Sequence, residues 1–198
     1  MSAATQMRQD QPRGERRPEP TLEEAFVLAF RHHPAGVAVM TADSGDGPVA
    51  ITVSSLISVS RSPPMVAFSL SDASSSARAL GRAESVVIHF IGPSDIALAQ
   101  LCAASAADKF GGRFAWRRLA SGEPCYEQVR LRFRAAIRDR LQLPGATLVT
   151  AELLESSLSE ASDAYAAGEA VIYANRRWHR LSIGTLPEGW WLDDPVTF

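Results

Sequence analysis

The chain of 198 residues has little lysine, little cysteine and no long apolar run. No stretch approaches the ~20 consecutive apolar residues of a membrane-spanning helix, so we expect no membrane partner. Its two cysteines, Cys102 and Cys125, show neither the spacing of a metal site nor a disulfide framework. We therefore predict no bound metal and a reducing, cytoplasmic location.

A strong charge imbalance is absent as well. The formal net charge is −2 at pH 7, which gives no electrostatic reason to expect a nucleic acid partner. Arginines nevertheless cluster at Arg130, Arg132, Arg134, Arg138 and Arg140. The first three alternate along the chain, and we expect them on a strand face that is solvated or faces another subunit.

The two ends of the chain differ in composition from its middle. Residues 1–20 are polar, rich in arginine and proline, and are expected to form a disordered leader. Residues 21–182 are long enough for one domain with its own core. Residues 183–198 form an aromatic tail with Trp190, Trp191 and Phe198, which we expect to pack on the domain or on a second subunit.

Capping and turn signals divide the middle of the chain into short strands with few helices. A capping box, Thr21 to Glu24, predicts the start of the first helix, and Pro34 and Gly36 predict its end. Further helices are predicted to end near Arg82 and to span Ile96 to Ala103 after Pro93. The predicted strands are 37–41, 49–56, 65–70, 85–91, 131–141, 147–154 and 170–173, the last followed by a segment at 177–181. This pattern favours a mainly β fold, a Greek-key-like antiparallel β-barrel with helical insertions.

Hydroxyl side chains recur through the β-like segment from Pro48 to Pro64. They are Thr52, Ser54, Ser55, Ser58 and Ser60. A wet strand face usually carries charged residues, whereas small neutral hydroxyls suit a bound polar ring or phosphate. The alternative is an ordinary edge strand rich in serine and threonine.

A second serine-rich segment runs from Ser69 to Ser76, where a predicted strand ends and a predicted helix begins. Free backbone N–H groups at a helix start, together with serine hydroxyls, can hold a phosphate without any basic residue. A helix N-cap explains one of these serines but not the five that occur within eight residues.

The segment Asp108 to Gly112 contains Lys109, the one lysine among the 20 lysine and arginine residues of the chain. An ammonium differs from the planar guanidinium in reach and hydration. We therefore expect that arginine cannot replace lysine at this position. Chance in an arginine-rich composition is the alternative.

These segments, in this order, resemble the short-chain flavin reductase family, whose members have the FMN-binding split-barrel fold and serve as reductase components of two-component flavin-dependent monooxygenases. The resemblance covers about residues 22 to 182. Its pieces are 30–41, 50–56, 58–60, 63–64, 71–76, 108–112, Trp116, 122–124 and 172–181.

The resemblance implies a flavin site in three parts. The isoalloxazine ring and ribityl chain would be lined, partly by backbone groups, by Thr52, Val53, Ser54 and Ser55. The phosphate end would be held by Ser69, Leu70, Ser71, Ser74, Ser75 and Ser76. Lys109 and Phe110 would close the site, and a homodimer with the flavin near its interface is implied.

The sequence departs from the family at the nicotinamide position. Many members have Gly-Asp-His there, whereas this chain has Pro144, Gly145 and Ala146. An imidazole therefore cannot contact the nicotinamide from Ala146. The candidates for the nicotinamide side are Gly145, Ala146, His33 and His179, with His32 as a further possible substitute.

The resemblance implies an NAD(P)H:flavin oxidoreductase that supplies reduced FMN or FAD to a partner monooxygenase. We assign no catalytic side chain, because hydride transfer between NADH or NADPH and a flavin needs positioning rather than a protein acid or base. The alternatives are a flavin-binding electron carrier or redox sensor with little NAD(P)H turnover, and a barrel that has lost flavin and serves in assembly.

Overall fold

A seven-stranded antiparallel sheet dominates the computed structural model, which describes residues 19–157 and 169–182. Its helices and strands, in chain order, are α1 (Leu22–His32), β1 (Ala35–Gly36), β2 (Ala38–Asp43), β3 (Pro48–Val53), β4 (Ile57–Arg61), β5 (Pro64–Ser71), α2 (Ser75–Arg82), β6 (Ser85–Phe90), a 3-10 turn (Pro93–Asp95), α3 (Ile96–Ala103), β7 (Trp116–Arg118), β8 (Pro124–Tyr126), β9 (Arg132–Leu143), β10 (Ala146–Ser156), β11 (Glu169–Ala174) and β12 (Arg177–Ser182). The predicted mainly β fold is confirmed.

The order of strands in the large sheet is β3-β2-β6-β9-β10-β5-β4. Strands β3 and β4 therefore stand at opposite edges, although only residues 54–56 connect them in the chain. Four residue steps from Val53 to Ile57 span at most about 14 Å. The two edges must consequently lie close together, so the sheet curls into a barrel that is split between β3 and β4.

Alternate side chains of the strands fill the barrel, and α2 packs against this interior with Leu80. Met40, Phe68 and Ile88 are fully buried there. Each such side chain contributes about 1.5–3 kcal/mol when it leaves water. Strand β2 is buried on both faces, because Val39 on its other face joins a second apolar cluster that includes Leu98 of α3.

The predicted start of α1 and the first hairpin are confirmed. The Thr21 hydroxyl accepts a hydrogen bond from the Glu24 amide at 3.2 Å, and the Glu24 carboxylate accepts one from the Thr21 amide at 2.9 Å. In the β2–β3 turn, the Asp43 carboxylate accepts from the amides of Gly45 and Gly47. Both glycines have positive φ, 102° and 110°, which other residues rarely adopt.

The prediction of one strand over 49–56 is wrong. Strand β3 ends at Val53, and β4 begins at Ile57 because it pairs with β5 at the opposite edge, Ile57 opposite Ala67. Ser58 and Ser60 therefore belong to a different, fully exposed strand from Thr52. The short strands β1, β7 and β8 were not predicted, and 177–181 lies in a strand, β12, paired with β11.

The helix predicted over Ile96 to Ala103 after Pro93 is confirmed as α3, and Pro93 begins the 3-10 turn that precedes it. One smaller prediction needs correction. The arginines 130, 132 and 134 do not share a solvated strand face, since β9 begins at Arg132. Arg134 is 20% exposed and forms ion pairs with Glu123 of the loop before β8 and Glu155 of β10.

The leader and tail lie almost entirely outside the described residues, since only Glu19 and Pro20 of the leader fall within them. Across residues 19–157 and 169–182, no helix has both the length and the apolar character needed to cross a membrane.

His89 of β6 is completely buried between β2 and β8. Its Nε2 accepts a hydrogen bond from the Tyr126 amide at 3.0 Å, so Nδ1 carries the proton and donates to the Val39 carbonyl at 3.1 Å. Burial lowers the pKa of His89 from 6.5 to about 4, because the charged imidazolium would be desolvated.

The unfolding free energy should therefore fall as the pH drops from 6.5 towards 4. Between these values the unfolded chain binds a proton at His89 that the folded chain does not, so acid favours unfolding by up to roughly 1.4 kcal/mol per pH unit. Urea unfolding at several pH values gives the unfolding free energy of the wild type and of His89→Gln as a function of pH. The difference between the two slopes of free energy against pH measures the contribution of His89. Equal slopes in the two proteins would show that His89 is not the responsible group.

Candidate functional site

The link between β3 and β4 places two of the predicted flavin-site serines at the split of the barrel. The Ser55 hydroxyl donates to the Ser69 carbonyl at 3.2 Å and accepts from the Ser69 amide at 3.0 Å. It thereby continues the β4–β5 pairing with a side chain in place of a backbone ladder. Ser54, its neighbour, is exposed and leaves its hydroxyl on the outside of the split.

The two residues before the link face into the protein. The Thr52 hydroxyl donates to the Ala99 carbonyl of α3 at 2.6 Å, which ties α3 to β3. The Val53 side chain is 7% exposed and belongs to the barrel interior. Val53 therefore offers a ligand at the split its backbone groups, and the Thr52 hydroxyl has a structural partner already.

Lys109 extends along the same face of β3 as Thr52. Its Nζ donates to the Ala50 carbonyl at 2.8 Å, two residues before Thr52. Partial burial lowers the pKa of Lys109. A slim ammonium reaches a single backbone carbonyl between a strand and a helix, whereas the broader guanidinium fork of arginine suits flat, bidentate acceptors.

Aromatic residues hold the backbone of the Lys109–Phe110 segment. The Tyr126 hydroxyl donates to the Lys109 carbonyl at 2.7 Å, and the Trp116 indole donates to the Phe110 carbonyl at 3.0 Å. The Phe110 ring stacks on Tyr126 with centroids 5.5 Å apart and meets Trp116 edge-on at 4.9 Å. This segment is thus fixed against the second apolar cluster, the one that includes Val39 and Leu98.

The second serine-rich segment forms the end of β5 and the N-terminus of α2. The Ser74 hydroxyl caps α2 by accepting from the Ala77 amide at 3.2 Å, and the Ser71 hydroxyl accepts from the Ala73 amide at 3.3 Å. The amides of Ser75 and Ser76 lie in the first turn, where no carbonyl of the helix can reach them. Leu70 points into the core and is 3% exposed.

The predicted nicotinamide residues do not come together. Gly145 and Ala146 form the β9–β10 hairpin, where Ala146 pairs with Ser71 and the Gly145 carbonyl accepts from the Asp72 amide at 3.1 Å. His33 caps α1 and lies against the edge of Phe30, and His179 lies on β12 with its Nε2 3.2 Å from the Ala174 carbonyl. Among the described residues, no hydrogen bond or ring contact joins either histidine to the hairpin.

Sequence reasoning missed the side chains that fix this hairpin. The Asp72 carboxylate accepts from the Gln142 amide at 3.0 Å and lies 3.5 Å from the Thr147 hydroxyl. These contacts span about 70 residues of chain, and no local spacing in the sequence signals them. They hold the hairpin against the serine-rich segment, so Ala146 lies beside the predicted phosphate end.

The arrangement offers neutral hydroxyls and backbone groups at the split. It also offers free backbone amides at the start of α2, which follows β5. This donor set fits a ligand with a polar, uncharged ring system at one end and a phosphate at the other. Within the described part of the chain, no three His, Cys, Asp or Glu side chains lie close enough together to hold a metal ion. The fold and this donor set define a flavin-binding split barrel.

The chain belongs to the family described as the flavin reductase like domain, which matches residues 30–182. An NADH:FMN oxidoreductase of Rhodococcus erythropolis is 38% identical over 155 residues, which are 78% of this chain and 80% of that protein.

Solved structures share the fold. The flavin reductase domain protein of Arthrobacter sp. FB24 superposes with a TM-score of 0.75 and is 25% identical, covering 84% of this chain and 99% of that one. A nitrilotriacetate monooxygenase component B homologue of Mycobacterium thermoresistibile superposes with a TM-score of 0.74 at 18% identity, covering 89% and 96%. The latter likeness concerns the fold alone.

Replacing Thr52 by valine should destabilise the protein rather than weaken flavin binding. The Ala99 carbonyl would keep its bond within α3 but lose the Thr52 donor, which costs about 0.5–1.5 kcal/mol, whereas Thr52→Ser keeps the hydroxyl. Urea unfolding of both variants measures the loss, and flavin fluorescence titration measures affinity. If Thr52→Val kept full stability and bound flavin poorly, the hydroxyl would face the ligand instead of Ala99.

Proposed function

We propose that the chain is an NAD(P)H:flavin oxidoreductase whose reaction takes place at the split between β3 and β4. The observation that carries this proposal is the split itself, where Ser54 leaves an exposed hydroxyl and Ser55 is bonded to Ser69, at the start of the serine-rich segment that leads into α2. Membership of the flavin reductase family and the 38% identity to an NADH:FMN oxidoreductase support it. We propose that the reduced flavin then passes to a partner monooxygenase; a structure that shares the fold is named as a homologue of a nitrilotriacetate monooxygenase component.

Residues at the split would hold the ring system of the flavin. Ser54 is exposed and free to donate or accept, and the backbone of Val53 to Ser55 lies at the end of β3 where ladder pairing stops. Polar groups of the ring rim match such neutral partners, because a charged side chain would have to be desolvated against an uncharged ring. Lys109 and Phe110 would close the site from the α3 side of β3.

The phosphate end would be held at the N-terminus of α2. The amides of Ser75 and Ser76 are free within the helix, and the hydroxyls of Ser71 and Ser74 retain their protons for donation, since both act as acceptors towards the backbone. The partial positive charge of the helix N-terminus adds to this attraction.

A bound flavin supplies the redox chemistry by accepting a hydride from reduced nicotinamide. The chain contributes orientation. A nicotinamide that gives a hydride to the flavin must lie against its ring system, at the split. The β9–β10 hairpin, fixed by Asp72, instead places Gly145 and Ala146 next to Ser71 at the phosphate end, so we do not assign the nicotinamide ring to this hairpin.

Anaerobic stopped-flow absorbance tests the proposed activity. Mixing the protein and FMN or FAD with NADH or NADPH should bleach the flavin band in a protein-dependent reaction. The Ser54→Val variant should lose at least about tenfold in flavin affinity, because it removes a hydrogen-bonding group and adds bulk at the split. Ser105→Val, in an exposed loop after α3, is the matched control and should behave as wild type. Tight flavin binding without bleaching by either nucleotide would contradict a reductase and leave the electron carrier or sensor.

We further propose that the protein is a homodimer. Helix α1 buries none of its residues, although Phe26 and Phe30 are apolar and 59% and 62% exposed. An isolated helix of 11 residues is marginal in water, so this face needs a partner. Edge strand β4 is exposed throughout and also carries the apolar residues Ile57 and Val59. A second copy, which the family resemblance implies, would cover both.

The double variant Phe26→Ser and Phe30→Ser should be monomeric at concentrations where the wild type is dimeric. Loss of two half-exposed phenyl rings removes apolar area that only an intermolecular contact buries. Light scattering after gel filtration gives the mass of each species, with Glu23→Gln on the same helix as the control. A monomeric wild type would refute the proposed assembly.

The free thiols of Cys102 and Cys125, both buried, fit the cytoplasmic location that we propose, where thiols stay reduced.

A further inference from the structure

A pocket of about 470 Å³ lies beside α2, between the end of β5 and the β9–β10 hairpin. Leu70 and Ala77 form an apolar part of its wall, and Arg78, Arg82 and Arg140 surround it with three positive charges. None of these side chains was assigned to the flavin ring or the nicotinamide. The volume is within the range of small-molecule sites and exceeds what one phosphate group fills.

Arg140 is held rigidly at this pocket. Its Nε donates to the Gly81 carbonyl and its Nη2 to the Ala83 carbonyl, both at 2.6 Å. These are carbonyls at the C-terminal end of α2, where a cation is favoured by the helix dipole. Arg140 therefore provides a fixed positive charge whose side chain is already ordered before any ligand binds.

Arg78 and Arg82 are both exposed and can turn towards a ligand at low cost. Arg82 pairs with Asp46 at 3.1 Å, and the two side chains are 58% and 79% exposed. An ion pair so exposed to water contributes little to stability. Arg78 donates to the backbone carbonyl of Asp72, which uses one of its five N–H groups.

Among the described residues, the carboxylate of Asp72 on the pocket wall forms no ion pair with these three arginines, so the wall keeps a net positive charge. The Asp72 oxygens accept from Gln142 at 3.0 Å and face the Thr147 hydroxyl at 3.5 Å. Gln142 and Thr147 also line the pocket, so amide and hydroxyl groups are present beside the guanidinium groups. The chemistry of the wall therefore suits an anionic, partly apolar ligand.

The pocket meets the proposed flavin site at one residue. Ser71 lines the pocket and also belongs to the segment that we assign to the flavin phosphate. Ser69 is exposed on one face of β5, whereas Leu70 is buried against α2 on the other face. A molecule that extends beyond the first phosphate can pass Ser71 at the strand end and enter the pocket beside α2.

We propose that this pocket binds the adenylate half of FAD, an inference that rests on the proposed flavin site. The additional phosphate of FAD, absent from FMN, meets the guanidinium groups of Arg78 and Arg82, which match phosphate geometry. The adenine stacks on the flat face of a guanidinium. The chain then prefers FAD to FMN.

Flavin fluorescence titrations of the wild type and the double variant Arg78→Gln and Arg82→Gln test the proposal. The wild type should bind FAD at least about tenfold more tightly than FMN, and the variant should lose most of this difference while its FMN affinity changes less than about twofold. Arg117→Gln, which breaks an equally exposed ion pair with Glu127, is the matched control and should leave both affinities unchanged. Equal FMN and FAD affinities in the wild type would overturn the proposal, as would equal losses of both in the variant.

Two further measurements separate this proposal from its alternatives. If the variant raises KM for NADH or NADPH and leaves FAD affinity intact, the pocket takes the adenylate of the pyridine nucleotide and the FAD assignment is wrong. Calorimetry with AMP alone tests the pocket without flavin or turnover. Heat of AMP binding that disappears in the double variant supports the adenylate site even if flavin reduction fails, whereas no AMP binding to the wild type refutes it.

Discussion

The connection of three residues between β3 and β4 is the constraint on which the barrel and its site depend. These strands stand at opposite edges of the sheet order, so residues 54–56 draw the two edges together. The same residues do not pair in a backbone ladder. The Ser55 hydroxyl bonds instead to the Ser69 backbone, and Ser54 is exposed to solvent. The same three residues therefore both close the barrel and expose a neutral polar site.

Much of the fold was predictable because its signals are local. The capping box of α1, the aspartate and glycines of the first hairpin and the long pair of β9 and β10 follow from neighbouring residues. The break after Val53 was not predictable in this way. Apolar and β-branched residues continue through Ile57 and Val59, and only the distant pairing of Ile57 with Ala67 moves them to another edge.

The candidate site, like the fold, has some features that local sequence signals and others that only distant contacts create. Serine spacing indicated the two segments that Ser55 and Ser69 join, and the lysine-poor composition singled out Lys109. Composition could not show that Lys109 and Thr52 bind backbone carbonyls, or that Tyr126 fixes the Lys109 carbonyl from a strand 17 residues away. Nor could it show Asp72 holding the hairpin, because such contacts exist only once the strands are paired.

The separation of β3 and β4 in the strand order bears on how the chain folds. The edges are neighbours in sequence, whereas β2, β6, β9, β10 and β5 lie between them in the sheet. Three of the six strand pairings in this sheet, β2 with β6, β6 with β9 and β5 with β10, join distant parts of the chain, which is typical of slow β-sheet formation. A ligand that binds the folded barrel at the split stabilises it by mass action.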